Sequence, residues 1–118
     1  MNEDDLKRRT KQFGLCVIKL VESLPNTSTA RTIGHQLLRS GMSVGANYRA
    51  ACRGKSKADF AAKAGISLEE ADECQYWMEL LQEAGIIPAE RLKDLWHEAD
   101  ELVAIFTASI KTVRGQHG

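Results

Sequence analysis

Proline is scarce in this sequence, two in 118 residues, and aromatic side chains make up only 6% of it. With few chain-breakers, few residues suited to a pleated surface, and Ala, Leu, Glu, Lys, Arg and Gln dominant, the composition favours helix, and no segment reads as a strand. Cysteine is nearly absent as well. Cys16, Cys52 and Cys74 are odd in number, widely spaced and never Cys-x-x-Cys, which argues against a disulfide framework and a zinc site and leaves them as buried thiols. The longest apolar run, Phe13 to Ile18, is far short of the ~18 to 20 residues that span a bilayer, so no membrane partner is expected. The acidic start Met1-Asn2-Glu3-Asp4-Asp5 lacks the basic and then apolar stretch of a secretory signal, so a cytoplasmic location is expected. What is present, 43% apolar and 27% charged residues, is ordinary for a soluble globular chain of one domain over residues 1–118.

The apolar residues recur at helical spacing. Leu6, Phe13 and Leu20 repeat every seven, as do Val17 and Leu24, and Pro25-Asn26 ends the pattern. Thr27 or Ser28 can cap a second helix whose inner side carries Ala30, Ile33, Gly34, Leu37, Gly41, Val44, Tyr48 and Ala51. Gly54 breaks it and Ser56 opens a third, with Phe60, Ala64, Ser67, Ala71, Cys74, Met78 and Leu81 inward until Gly85. Pro88 opens a fourth, built on Leu92, Leu95, Ala99, Leu102, Phe106 and Val113, and the tail from Gly115 to Gly118 is expected to fray. Helices over about 4–24, 28–52, 57–84 and 88–114, joined by short loops, specify an all-α, up-down-up-down four-helix bundle.

Two helices carry a second apolar row. Trp96, Val103 and Ile110 form one on the fourth, and Ile66, Trp77, Leu80 and Ala84 form another on the third, about a quarter turn from its core stripe. They read either as a wide core face or as a surface buried against another subunit, and the second reading is favoured, since a monomer seldom leaves such a patch in water.

Sixteen basic residues offset sixteen acidic ones, but unevenly along the chain. Residues 25–56 hold Arg31, Arg39, Arg49, Arg53 and Lys55 and no carboxylate, whereas residues 57–87 hold Asp59, Glu69, Glu70, Asp72, Glu73, Glu79 and Glu83 against Lys57 and Lys63. At ~100° per residue Arg31, His35, Arg39, Arg49 and Arg53 share an arc of ~80°, and their span of about 33 Å suits a phosphate backbone. The competing reading is that this basic edge pairs with the acidic third helix, within a bundle or between subunits. No aromatic interleaves with the arginines, so binding should be backbone-led and salt-sensitive. Gly34, Gly41 and Gly45 in the same helix fit a close helix approach, with Ser40 and Ser43 bonding local carbonyls and Asn47 a buried polar group fixing register.

Catalytic and metal patterns are thin. A di-metal bundle needs Glu-x-x-His motifs, and the nearest match is Asp94-x-x-His97. Glu69 and Glu73 form a carboxylate pair on a helix that has many, and Gly41-x-x-x-Gly45 lacks the Lys-Ser or Lys-Thr of a phosphate loop. No catalytic residue, metal or cofactor is assigned, and no enzymatic activity is expected.

The blocks Gln36-Leu37-Leu38-Arg39-Ser40, Ser43-Val44-Gly45-Ala46-Asn47-Tyr48-Arg49, Arg53-Gly54-Lys55-Ser56-Lys57-Ala58-Asp59-Phe60 and Glu70-Ala71-Asp72-Glu73-Cys74-Gln75-Tyr76-Trp77 resemble the four-helix-bundle proteins named for the 23S ribosomal RNA intervening sequence. The likeness runs from Asp5 to about Arg114 and covers Arg39, Ser40, Ser43, Asn47, Arg53, Ser56, Asp59 and Phe60, with Ala50 where the family usually has glutamate. It implies a left-handed four-helix bundle assembling as a homopentamer, with no known reaction. It implies too a likeness to the accessory variability determinant of diversity-generating retroelements, whose basic surface engages nucleic acid and a nucleic-acid-processing protein. The family name records where some members are encoded and assigns no ribosomal RNA binding. The expectation is therefore a non-enzymatic homo-oligomer that binds RNA or DNA backbone through Arg31, His35, Arg39, Arg49 and Arg53, the alternative being a protein-interaction scaffold.

Overall fold

The computed structural model describes residues 1–115; Gln116, His117 and Gly118 of the expected frayed tail lie outside the described residues. Four helices follow one another, α1 (Glu3–Glu22), α2 (Ser28–Cys52), α3 (Lys57–Glu83) and α4 (Ala89–Arg114), with no strand among the described residues. Each start has a local cause. Asn2 and Asp5 cap α1 reciprocally, side chain to backbone, at 2.8 and 3.3 Å. The Thr27 hydroxyl accepts from Ala30 N at 3.2 Å at the head of α2, and Ser56 Oγ accepts from Asp59 N at 3.0 Å at the head of α3. Gly85, with φ at +72°, turns the chain out of α3 in the left-handed region that other residues rarely enter. α1 stops at Glu22, two residues before the expected Leu24. Ser23 ends it, since its hydroxyl and its backbone N–H both donate to the Leu20 carbonyl, at 2.7 and 3.1 Å.

The bundle is a rod, 52 × 20 × 19 Å, in which successive helices pack side by side and, of the adjacent pairs, α1 and α4 meet least. Its axis is filled by Phe13, Val17, Leu37, Val44, Met78, Leu81, Leu92, Leu102 and Phe106, and Tyr48 stacks at a tilt on Phe106 with ring centroids 5.8 Å apart. The glycine row of α2 faces α1, with Gly34 against Leu24 and Val21, Gly41 against Val17, and Gly45 against Thr10. Two helix axes can approach this closely only where one presents no side chain.

Three local expectations change. Ile110, expected on the outer row of α4, is buried within its own chain against Ala51, Ala61 and Ala64, because the small residues of α2 and α3 at that end leave room for it. Ser40 does not bond a local carbonyl; it reaches across to Glu73 on α3 at 2.6 Å. Asn47 fixes no inter-helix register, since its Nδ2 donates to Ser43 O of its own helix at 2.8 Å, while the register bond between α2 and α3 runs from Ser67 Oγ to Val44 O at 2.9 Å.

Candidate nucleic-acid interface

The basic edge of α2 is divided in space by the helices on either side of it. Arg31, at its beginning, donates to the Asn26 side chain and lies with His35 beside a hollow of about 170 Å³ whose apolar wall is Val21, Leu24 and Leu38. Arg39, in the middle, turns toward α3. Its guanidinium meets Glu70 Oε2 at 3.2 Å and Glu73 Oε2 at 2.7 Å, and it also donates to Gln36 Oε1. With the Ser40 hydroxyl added, Glu73 is ringed by donors, and this holds its carboxyl below the usual range, the Ser40 bond contributing most. Burial pushes Glu70 the other way, and its neighbour Glu73 adds to the rise. The carboxylate pair expected at Glu69 and Glu73 is therefore Glu70 and Glu73, bridged by an arginine, while Glu69 is exposed.

Arg49 and Arg53, at the end of α2, meet a different neighbour. Here the first turns of α1 run antiparallel to the last turns of α2, and Lys7, Arg8 and Lys11 join the two arginines around a hollow of about 270 Å³. No carboxylate lines it. Lys7 is paired one turn back with Glu3 at 3.3 Å and Arg8 with Asp5; Lys11, Arg49 and Arg53 have no ion pair among the described residues. Lys11, Arg49 and Arg53 thus share a hollow with no carboxylate in its lining, where an anion would lower their mutual repulsion.

The α2–α3 corner beside the hollow is built tightly. A Cβ on Gly54 would stand 2.9 Å from Ala51 O and 3.0 Å from Asp59 Oδ2. Asp59 accepts from Lys55 N at 3.2 Å and pairs with Lys63 at 3.3 Å, so the backbone after Arg53 is fixed. Arg53, Lys55 and Lys57 are exposed at this corner.

The expected outer rows lie in two places. By helical register Ile66, Trp77 and Leu80 share the edge of α3 that carries Glu70 and Glu73, and Ile66 is 44% exposed. Trp96 instead crosses to α3, its Nε1 donating to Glu79 Oε2 at 3.0 Å, and Val103 packs half-buried against the core. Tyr76 is 54% exposed and stands edge-on to Trp77. His97 and Asp94 are exposed on α4, and among the described residues no three His, Cys, Asp or Glu side chains gather at metal-binding distance.

Lys7, Arg8 and Lys11 were not among the residues the sequence pattern pointed to. A signal existed: an antiparallel hairpin folded at Pro25 brings the first turns of α1 beside the last turns of α2, and reading charge across helices, as well as along one, finds them.

The family model described as 23S rRNA-intervening sequence protein matches residues 3–108. The chain is similar to the crystal structure of a protein of unknown function from the S23 ribosomal protein family of Bacteroides thetaiotaomicron VPI-5482. The two are 34% identical with a TM-score of 0.84, over 89% of this chain and 97% of that one. Among curated proteins nothing matches.

Proposed function

This chain belongs to the 23S rRNA-intervening sequence protein family, and we propose that it is a non-enzymatic, self-associating helical bundle whose basic end binds the phosphate backbone of RNA or DNA. One observation carries the reading: five cations from two helices converge on one hollow that no carboxylate lines. Arginine forks grip phosphate oxygens in pairs, and lysines add point charge without demanding a direction. No aromatic residue lines the hollow, so affinity comes from phosphate and is indifferent to base sequence. Arg49 and Arg53 are the principal contacts, Lys7, Arg8 and Lys11 complete the site, and Arg31 and His35 extend it along α2. Arg39 contributes less, because Glu70 and Glu73 already engage it. The protein acts in the cytoplasm, as a homo-oligomer using the half-exposed row of Ile66, Trp77 and Leu80, with Trp96 and Val103.

The test is fluorescence anisotropy with mixed RNA and duplex DNA. The Arg49→Glu/Arg53→Glu variant should lose binding while keeping its helix content and assembly, and Arg39→Ala should retain most of it. Equal binding by wild type and the double variant would refute the site.

A second reading rests on the Arg39–Glu70–Glu73 contact. There the acidic helix engages one member of the basic edge, and the same pairing between subunits would make a protein-interaction scaffold without nucleic acid. On that reading charge reversal at Arg49 and Arg53 breaks the assembly.

A further inference from the structure

The shape of the basic site says more than its charge. A strand or duplex lying along a protein meets its phosphates one after another, and a ridge or stripe of cations suits it. At the α1–α2 end the cations instead surround a concavity of about 270 Å³, three from α1 on one side and two from α2 on the other. We infer that this hollow seats a terminal phosphate, the phosphomonoester or polyphosphate end of a nucleic-acid strand, in preference to the phosphodiesters within it. The inference rests on the nucleic-acid reading above and specifies which part of the ligand enters the hollow.

Charge and geometry agree on this. A phosphodiester brings one negative charge and two free oxygens, whereas a phosphomonoester brings about −1.5 to −2 and three oxygens able to accept from several donors at once. Glu3 and Asp5 already share Lys7 and Arg8, which leaves Lys11, Arg49 and Arg53 as cations without an ion-paired partner among the described residues. Three such cations lining one hollow match a compact group of two or more charges better than a single-charged one. The lining holds no aromatic face to stack a base, and its five side chains are all cations. Such a lining suits phosphate before anything else. The site is also anchored: Arg53 caps α2 just before the corner that Gly54 and Asp59 hold, and Asn2 and Asp5 fix the start of α1. A free polyphosphate, such as a nucleoside triphosphate, presents the same chemistry and is the other possible source of the group.

The experiment compares one RNA sequence carrying a 5′-hydroxyl, a 5′-monophosphate or a 5′-triphosphate, by anisotropy on the full chain, with inorganic tripolyphosphate as competitor and as a calorimetric titrant. The monophosphate strand should bind about tenfold tighter than the hydroxyl strand, since charge-assisted hydrogen bonds to one added group are worth at least that. The triphosphate strand should bind tighter still. Lys11→Gln/Arg53→Gln, both exposed positions, should weaken binding of all three strands and bring their affinities to within about twofold of one another, with circular dichroism and gel filtration unchanged, and a preference for the phosphorylated strands that survives the variant would overturn the inference. Tripolyphosphate that displaces the phosphorylated strand only at far higher concentration assigns the hollow to strand ends. Tripolyphosphate that binds as tightly, with no measurable binding of hydroxyl RNA, keeps the polyanion seat and overturns the nucleic-acid reading. Equal affinity for the three strands overturns the inference and leaves backbone binding standing, and binding of neither RNA nor tripolyphosphate overturns both.

Discussion

Gly41 allows α2 to lie against α1, and replacing it puts a number on that approach. A Cβ at Gly41 would stand 2.7, 2.8 and 2.9 Å from three side-chain atoms of Val17, where about 3.5 to 4.0 Å is the comfortable separation. Val17 is fully buried and β-branched, with one strongly preferred rotamer in a helix, so it cannot turn away and the helices must separate instead. Gly41→Ala gains about 1 kcal/mol of helix propensity and loses about 1 to 3 kcal/mol to overpacking. The expected net is a loss of up to about 2 kcal/mol. Gly65, in the middle of α3, is the internal control: nothing lies within 4 Å of its Cβ position, so Gly65→Ala should keep the propensity gain and stabilise by about 0.5 to 1 kcal/mol. At fixed protein concentration, thermal unfolding should place the two variants on opposite sides of wild type, separated by several degrees. Val17→Ala in the Gly41→Ala background should recover part of the loss, a favourable coupling visible in a double-mutant cycle. Gly41→Ala at least as stable as wild type would refute the close-approach argument, and a destabilised Gly65→Ala would refute the control.

Other consequences are shorter to state. Ser40→Ala removes a buried hydroxyl that donates to the Glu73 carboxylate at 2.6 Å and should lower stability by about 1 to 2 kcal/mol in chemical denaturation. Glu73 is held below its ordinary 4.5, so its contribution is present above that value and lost as pH falls through the lower folded one. Wild type should thus be more stable than Glu73→Gln at neutral pH, with the gap closing in acid. Glu70 is raised, so its ionisation opposes folding, and Glu70→Gln should be no less stable than wild type at neutral pH. Among the thiols, burial pushes up the pKa of both fully buried Cys74 and half-buried Cys52, so a maleimide should modify Cys16 fastest in the native protein, Cys52 more slowly, and Cys74 only on unfolding. Arg9 bridges the loosest seam of the bundle with two bonds to Glu98 at 2.6 and 2.8 Å, and Arg9→Met should speed amide exchange in α1 and α4 before it does so in α2 and α3.

Helices, caps and core were legible because each is written in short-range pattern. Leu6, Phe13, Val17 and Leu20 fall on one stripe, and Thr27, Ser56 and Gly85 stand where a cap or a left-handed turn is needed. Ile110 escaped that logic because its burial depends on how small Ala51, Ala61 and Ala64 are, residues far away in sequence. The charged edge was only half legible for the same reason. Spacing along α2 puts five basic side chains on one arc, but which are engaged and which converge depends on the neighbouring helices. α3 supplies Glu70 and Glu73 to Arg39, and α1 supplies Lys7, Arg8 and Lys11 to Arg49 and Arg53. A single helix cannot show that its edge is shared.

The most direct test of the basic end as a phosphate site is the salt dependence of binding, measured as affinity for a mixed-sequence duplex from 50 to 200 mM salt. If Lys11, Arg49 and Arg53, the cations of the hollow without an ion pair among the described residues, each displace one counterion, log affinity should fall against log salt with a slope of about −3, and Lys11→Gln/Arg53→Gln should make it shallower by about 2. A slope near zero, or one the variant leaves unchanged, would contradict the account.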